Sequence, residues 1–177
     1  MKIAVVACPR SGHTWFINQL KSYRADLSID ELEAWVVVGD WARPVFNNIK
    51  AKNLSDYDQV FVFVRDFDNW FASLLMKFRG RTEADFDKYV EMYENHCQLY
   101  ADKRLTYVTY ESFSTREYRK WVCDYRIKGR YNEHELHKVP PPNSGFDDKD
   151  YFNRRAQILA SDLGNMYELL MKKYVKS

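Results

Sequence analysis

Two short apolar runs constrain this chain more than any other feature. Residues 3–8 read Ile-Ala-Val-Val-Ala-Cys, and residues 59–64 read Gln-Val-Phe-Val-Phe-Val. Neither alternates with polar residues over its length, so each suits a strand buried on both faces, as in a parallel sheet. Each is followed by a segment of helical spacing. Trp15, Phe16, Ile17 and Leu20 mark a helix over 14–23, and a second helix is expected from about Asn69 to Phe78. Further strands are expected at Trp35–Val38, ended by Gly39-Asp40, and at Leu105–Tyr110. Further helices are expected over 83–100, near 114–124 and over 155–174. Strands alternating with helices predict a three-layer α/β fold with a central parallel sheet of four to five strands, flanked by helices.

The 177 residues suit one domain, so the whole of 1–177 is read as a single unit. Apolar residues make up 46% and charged residues 29%, which excludes a disordered chain. A net charge of +2 argues against a strongly cationic nucleic-acid binder, and no nucleic-acid partner is expected. Cys8, Cys97 and Cys123 contain no CxxC pair. A disulfide framework or thiolate zinc site is not expected, and reduced thiols fit a cytoplasmic protein. No stretch approaches the ~18 apolar residues of a membrane span, so no membrane partner is expected. Residues 138–150, with Pro140-Pro141-Pro142, read as a surface loop.

The chemistry concentrates where the first strand meets the first helix. A strand that feeds a glycine-containing loop and then a helix holds phosphate well, because the first amide N–H groups of the helix point at the anion. Ala7-Cys8-Pro9-Arg10-Ser11-Gly12-His13-Thr14 has the length of a Walker A loop, G-x-x-x-x-G-K-[ST]. It keeps Gly12 and Thr14 but has His13 in place of the lysine that grips the β- and γ-phosphates of a kinase substrate. Histidine is shorter and mostly neutral near pH 7. Arg10, three residues earlier, supplies a permanent cation instead. The bland alternative is a tight strand–helix turn with a chance Ser-Gly.

A second constellation follows the strand at 59–64. Ligands of open α/β sheets sit beyond the carboxyl ends of strands, which puts Arg65 at the ligand edge. Ser73 lies eight residues on, about two turns into the next helix. An arginine fork plus a hydroxyl suits phosphate oxygens. The alternatives are an Arg65 that pairs with Asp66 or Asp68, or an Asp66 that serves as a Walker B ligand to magnesium.

Pro9-Arg10-Ser11-Gly12-His13-Thr14-Trp15 resembles the phosphosulfate loop of the P-loop sulfotransferases, P-[KR]-[ST]-G-[TS]-[TS]-W, at six of seven positions, with His13 the departure. Arg65 and Ser73 resemble that family's 3′-phosphate element, R-D-P-R-D followed by a helix serine, with Phe67 in place of proline. Tyr110-Glu111 is similar, more weakly, to the end of its fourth strand. The resemblance implies a P-loop NTPase-like fold and a sulfotransferase that uses 3′-phosphoadenosine 5′-phosphosulfate (PAPS), with 3′,5′-ADP as product and a hydroxyl or amine as acceptor. It implies that Arg10, the backbone of Ser11, Gly12, His13 and Thr14, and the Thr14 hydroxyl hold the phosphosulfate. Trp15 would stack on adenine, or pack in the core. Arg65 and Ser73 would take the 3′-phosphate, without a metal.

The general base is not evident. Many members use a histidine between the two motifs, and none lies between residues 14 and 64 here. Others use a carboxylate soon after the first helix, for which Glu31, Glu33 and Asp40 are candidates; Asp40 is favoured and Glu33 is next. His13 is a further candidate. The basic run from Arg116 to Arg130 reads as a solvated helix face, or as a grip on an acidic acceptor, and Arg154 and Arg155 as residues closing over the nucleotide. The competing functions are a P-loop nucleotide or small-molecule kinase and a non-catalytic nucleotide-binding protein on the same fold.

Overall fold

β1 (Lys2–Ala7) and β5 (Gln59–Val64), the two apolar runs, lie side by side at the centre of a four-stranded parallel sheet. The computed structural model describes residues 1–33, 35–38, 41–44, 54–97, 105–137 and 153–175. The strand order is β2-β1-β5-β6, with β2 at Ser28–Glu33 and β6 at Thr106–Thr109. Register places Ala7 opposite Phe63 and Glu33, so the carboxyl ends of the strands finish at one edge.

Trp35–Val38 does not belong to this sheet, contrary to the sequence reading. It is β3 of a separate antiparallel pair with β4 (Trp41–Pro44). The fourth strand of the main sheet is β2, Ser-Ile-Asp-Glu-Leu-Glu. An edge strand has one neighbour and a partly wet face, so it tolerates acidic residues that would be costly beside β1.

Alternate residues of the central strands feed two apolar layers. Ile3, Val5, Phe61 and Phe63 meet helix α1 (His13–Tyr23), whose Phe16 stacks on Phe63 at 4.5 Å and meets Phe61 edge-on at 5.4 Å. Ala4, Val6, Val60 and Val62 form the opposite layer with Leu32. Helices α2 (Phe67–Lys77), α3 (Glu83–Cys97), α6 (Arg154–Leu159) and α7 (Gly164–Tyr174) pack together around Phe71, Phe86 and Tyr167. The short helix α4 (Tyr110–Phe113) follows β6 directly. It leads into α5 (Arg116–Val122), which ends in a π-helical turn over Cys123–Ile127. Among the described residues, no helix is long and apolar enough to cross a membrane.

The helix expected over 155–174 is broken in two. The Ser161 hydroxyl donates to the Ile158 carbonyl at 2.7 Å and accepts from the Leu163 N–H at 3.2 Å. A serine that bonds its own backbone in this way competes with the helical ladder. A Cβ on Gly164 would come within 2.8 Å of the Leu159 carbonyl oxygen, so the restart of the chain needs glycine.

Arg119 is not part of a solvated face. It is buried, and its guanidinium donates to the carbonyls of Phe113 (3.0 Å), Ser114 (2.6 Å) and Leu136 (2.8 and 3.2 Å). It thereby satisfies the C-terminal carbonyls of α4 and ties that helix to the 3₁₀ turn Glu133–His137. Arg119→Met should strand these carbonyls and cost about 3 kcal/mol, read as a lower urea midpoint at unchanged m-value.

Candidate functional site

The chain leaves the carboxyl end of β1 through α1 towards β2 on one side. It leaves the carboxyl end of β5 through α2 and α3 towards β6 on the other. The connections diverge between β1 and β5, and a crevice at such a switch point is where open parallel sheets bind ligands. The loop that carries Arg10 and the loop that carries Arg65 leave neighbouring strands at this switch point, as its two lips.

The first loop is tightly built. Ser11 is buried; its hydroxyl donates to the Cys8 carbonyl at 2.8 Å and its N–H to the same oxygen at 3.3 Å. Arg10 (φ 65°) and Gly12 (φ 91°) both take left-handed backbone conformations. Gly12 has a second reason to be glycine, because a Cβ there would lie 2.6–2.7 Å from the Tyr110 ring. The first helical bond of α1 runs from the Phe16 N–H to the Gly12 carbonyl at 3.2 Å, and the N-cap residue, Gly12, has no side chain with which to cap the turn. Helix starts without caps favour an anion, through their amides and dipole. Thr14 is exposed on this first turn, whereas Trp15 is buried and meets Tyr110 and Phe113 edge-on at 5.4 and 5.2 Å.

On the second lip, Arg65 is 4% exposed. Its guanidinium lies over the Tyr110 ring at 4.6 Å, with Nε 3.9 Å from Glu111 Oε1. Ser73 is buried on α2. Asp66 caps α2, accepting from the Asn69 N–H at 3.1 Å and from Asn69 Nδ2 at 2.7 Å. Asn69 in turn accepts from the Arg155 N–H at 3.0 Å, which docks the start of α6 beside the second loop. Arg154 is buried and donates to Gln157, whereas Arg155 faces Asp68 at 3.6 Å.

One aromatic pair holds the two lips in place. The Trp70 indole N–H donates to the Pro9 carbonyl at 2.8 Å, and the Tyr93 hydroxyl donates to the Arg65 carbonyl at 2.6 Å. The two rings stack at 4.4 Å. Sequence reading did not single out either residue, since both merely continue the apolar stripes of their helices.

Two titratable clusters lie at this edge. Glu111 Oε2 accepts from the Asp66 N–H at 3.1 Å. Burial, then a hydrogen bond with the neighbouring Asp66 carboxyl, pushes Glu111 up to about 7. Burial opposes ionisation of Asp66 too, but its hydrogen bonds with Glu111 and Asn69 and the charge of Arg65 outweigh it and hold Asp66 below the usual carboxylate range. Below about pH 7, therefore, the one proton of the pair sits on Glu111 and Asp66 stays ionised. In the second cluster His13 bridges two groups: Nε2 lies 2.7 Å from Glu31 Oε1 and Nδ1 lies 3.4 Å from the Ser11 hydroxyl. His96, fully buried on α3, is pushed down to about 4 by burial and by the charge of His13, so it is neutral at pH 7. Of the other carboxylates suggested by the sequence, Asp40 lies outside the described residues. Glu33 ends β2 opposite Ala7, where the structure describes its backbone.

Gly12→Ala should destabilise the fold by about 2–4 kcal/mol, because it adds both left-handed strain and a contact with Tyr110. Glu111 titrates higher in the fold than its ordinary value of 4.5. Its contribution to stability is complete below about 4.5 and is lost as the pH rises through about 7. Glu111→Gln should therefore gain on the wild type between pH 5 and pH 8. The check is the thermal midpoint of each at both pH values.

No protein-family model matches this chain, and no curated protein sequence matches it.

Proposed function

We propose that the protein transfers a sulfuryl group from PAPS to a hydroxyl or amine acceptor, on a P-loop fold. The observation that supports this reading is that two arginine-bearing loops, one after β1 and one after β5, leave neighbouring strands at the same edge of the sheet. A nucleotide with phosphate groups at both its 5′ and 3′ positions needs a cation at each end, and the sequence of each loop resembles the matching sulfotransferase motif.

The first loop carries groups suited to the 5′ end. The backbone amides at the start of α1, Arg10 in the loop and the hydroxyl of the exposed Thr14 are donors of the kind a phosphate takes, and they need no metal. The second loop needs a rearrangement. For Arg65 to take a 3′-phosphate, its guanidinium must leave the Tyr110 ring and exchange the Glu111 carboxylate for phosphate oxygens. Ser73 adds a hydroxyl from α2. Trp15 is packed against Tyr110 and Phe113, and we give it a core role rather than adenine stacking.

In this reading the acceptor oxygen or nitrogen forms a bond to sulfur while the bond from sulfur to the bridging phosphate oxygen breaks. The electron pair of that bond stays on the phosphate of 3′,5′-ADP, where Arg10 offsets the growing charge. The acceptor proton passes to a carboxylate base, Asp40 or Glu33. Most of the catalysis is alignment and charge stabilisation, as in phosphoryl transfer.

A magnesium-dependent kinase fits less well, because the Asp66 carboxylate is occupied as the cap of α2 and by Glu111. Calorimetry with 3′,5′-ADP and with Mg-ATP separates the two. Tight, metal-independent binding of 3′,5′-ADP is expected; magnesium-dependent ATP binding with no preference for a 3′-phosphate overturns the assignment. Binding of the nucleotide without sulfation of any acceptor in a broad screen favours the non-catalytic reading. Arg65→Ala should weaken 3′,5′-ADP about thirtyfold while leaving AMP nearly unchanged, as expected for loss of charge-assisted bonds to one phosphate. Equal losses on both nucleotides count against Arg65 as the 3′-phosphate contact.

A further inference from the structure

The Walker pattern places a lysine at residue 13, and this chain has a histidine there. The geometry around that histidine says which form it takes. The Ser11 hydroxyl has one hydrogen, and it is directed at the Cys8 carbonyl, 2.8 Å away. Towards His13 Nδ1, at 3.4 Å, the Ser11 oxygen therefore presents lone pairs. On the other side, Nε2 meets a Glu31 carboxylate oxygen at 2.7 Å. Both ring nitrogens face acceptors, and only an imidazolium donates from both. The same geometry rules out Ser11 as a histidine-activated nucleophile, because its hydrogen points away from the ring and its side chain is buried.

We propose that Glu31, on β2, holds His13 as an imidazolium, so that the loop regains a cation at the lysine position and binds its anion in a pH-dependent way. This rests on the loop being the anion site of the preceding subsection. Glu31 is a positioning residue here: it acts on the anion through His13.

The surrounding charges decide how strongly the switch is biased. Glu31 faces the ring from β2, with 42% of its side chain exposed against 13% for His13, so the pair is only half screened by water. Arg10, in the same loop, is a permanent cation. His96 comes from α3; as it is neutral at pH 7, it adds no repulsion. The Ser11 oxygen supplies a dipole. An arriving anion adds a further acceptor and favours the imidazolium again, so binding and protonation reinforce each other.

The sign follows directly. The imidazolium is present at low pH, so anion affinity is highest there and falls as His13 loses its proton. Removing the Glu31 carboxylate moves that fall to lower pH.

The test uses the full chain. Long-range ¹H–¹⁵N spectra across pH 5–9 read the two ring nitrogens of His13, assigned from the signals absent in His13→Gln. Calorimetry with 3′,5′-ADP runs over the same range. In the wild type both ring nitrogens should carry protons at pH 7. Nucleotide affinity should fall about tenfold between low and high pH, the size of one charge-assisted hydrogen bond. His13→Gln should bind with the weaker, high-pH affinity throughout. Glu31→Gln should show both the loss of the ring proton and the fall in affinity at lower pH. Glu31→Asp, which keeps the charge, should restore part of the shift and guards against a merely structural effect.

A singly protonated His13 at pH 7, or ring protonation unchanged in Glu31→Gln, overturns the role of Glu31. Nucleotide binding with the same pH dependence in His13→Gln overturns the switch. Absence of nucleotide binding at every pH, beside an imidazolium at residue 13, overturns instead the reading of the loop as an anion site.

Discussion

The parallel pairing of β1 with β5 is the constraint on which the rest depends. Past their first residues, Lys2 and Gln59, these strands are wholly apolar and buried, so each needs a neighbour on both sides. Once they pair in register, Ala7 opposite Phe63, the two loops that follow them must emerge together. The apolar layers above and below then determine which way the chain returns, and the switch point arises where the returns diverge. Trp70 and Tyr93 complete the arrangement. Each ring bonds one carbonyl of the two loops, and the rings stack on each other, so the spacing of the lips is set by two well-directed hydrogen bonds and an aromatic contact.

The central part of this architecture was legible in the sequence because it is written in uninterrupted apolar residues. β1, β5 and β6 and the helices that follow the first two were readable from run length and spacing. β2 was not, since an edge strand of composition Ser-Ile-Asp-Glu-Leu-Glu carries too little apolar signal, and the stronger run Trp35–Val38 drew the assignment instead. The break between α6 and α7 was hidden for a different reason. The apolar stripe continues across it in phase, and only Ser161 and Gly164, single residues that a helical pattern can tolerate, mark the interruption.

The site was half legible. Arg65 was readable as the residue that follows the carboxyl end of β5, and Arg10 as part of the loop that follows β1; the structure has both loops after those strands. The relationships between side chains were not readable. Glu31 and His13 are eighteen positions apart, and Asp66 and Glu111 forty-five, and nothing local ties either pair. Their contacts follow from strand order, because β2 flanks β1 and β6 flanks β5. The basic run near α5 misled in the opposite way. Arg119 looks like its solvated neighbours in sequence, yet a short helix left with orphan carbonyls recruits it inwards.

Tyr110 has a consequence for how the crevice behaves as a unit. Its ring is the floor shared by both lips: one part touches Gly12, with no room for a methyl group, while the Arg65 guanidinium rests on its face. Trp15 and Phe63 wedge it from the sides. A ligand that lifts the guanidinium uncovers that ring, and any tilt the ring then makes is transmitted straight into the backbone of the other loop. The two halves of a long ligand would thus feel each other through protein as well as through their own covalent bonds, and fragments offered separately would not sum to the whole.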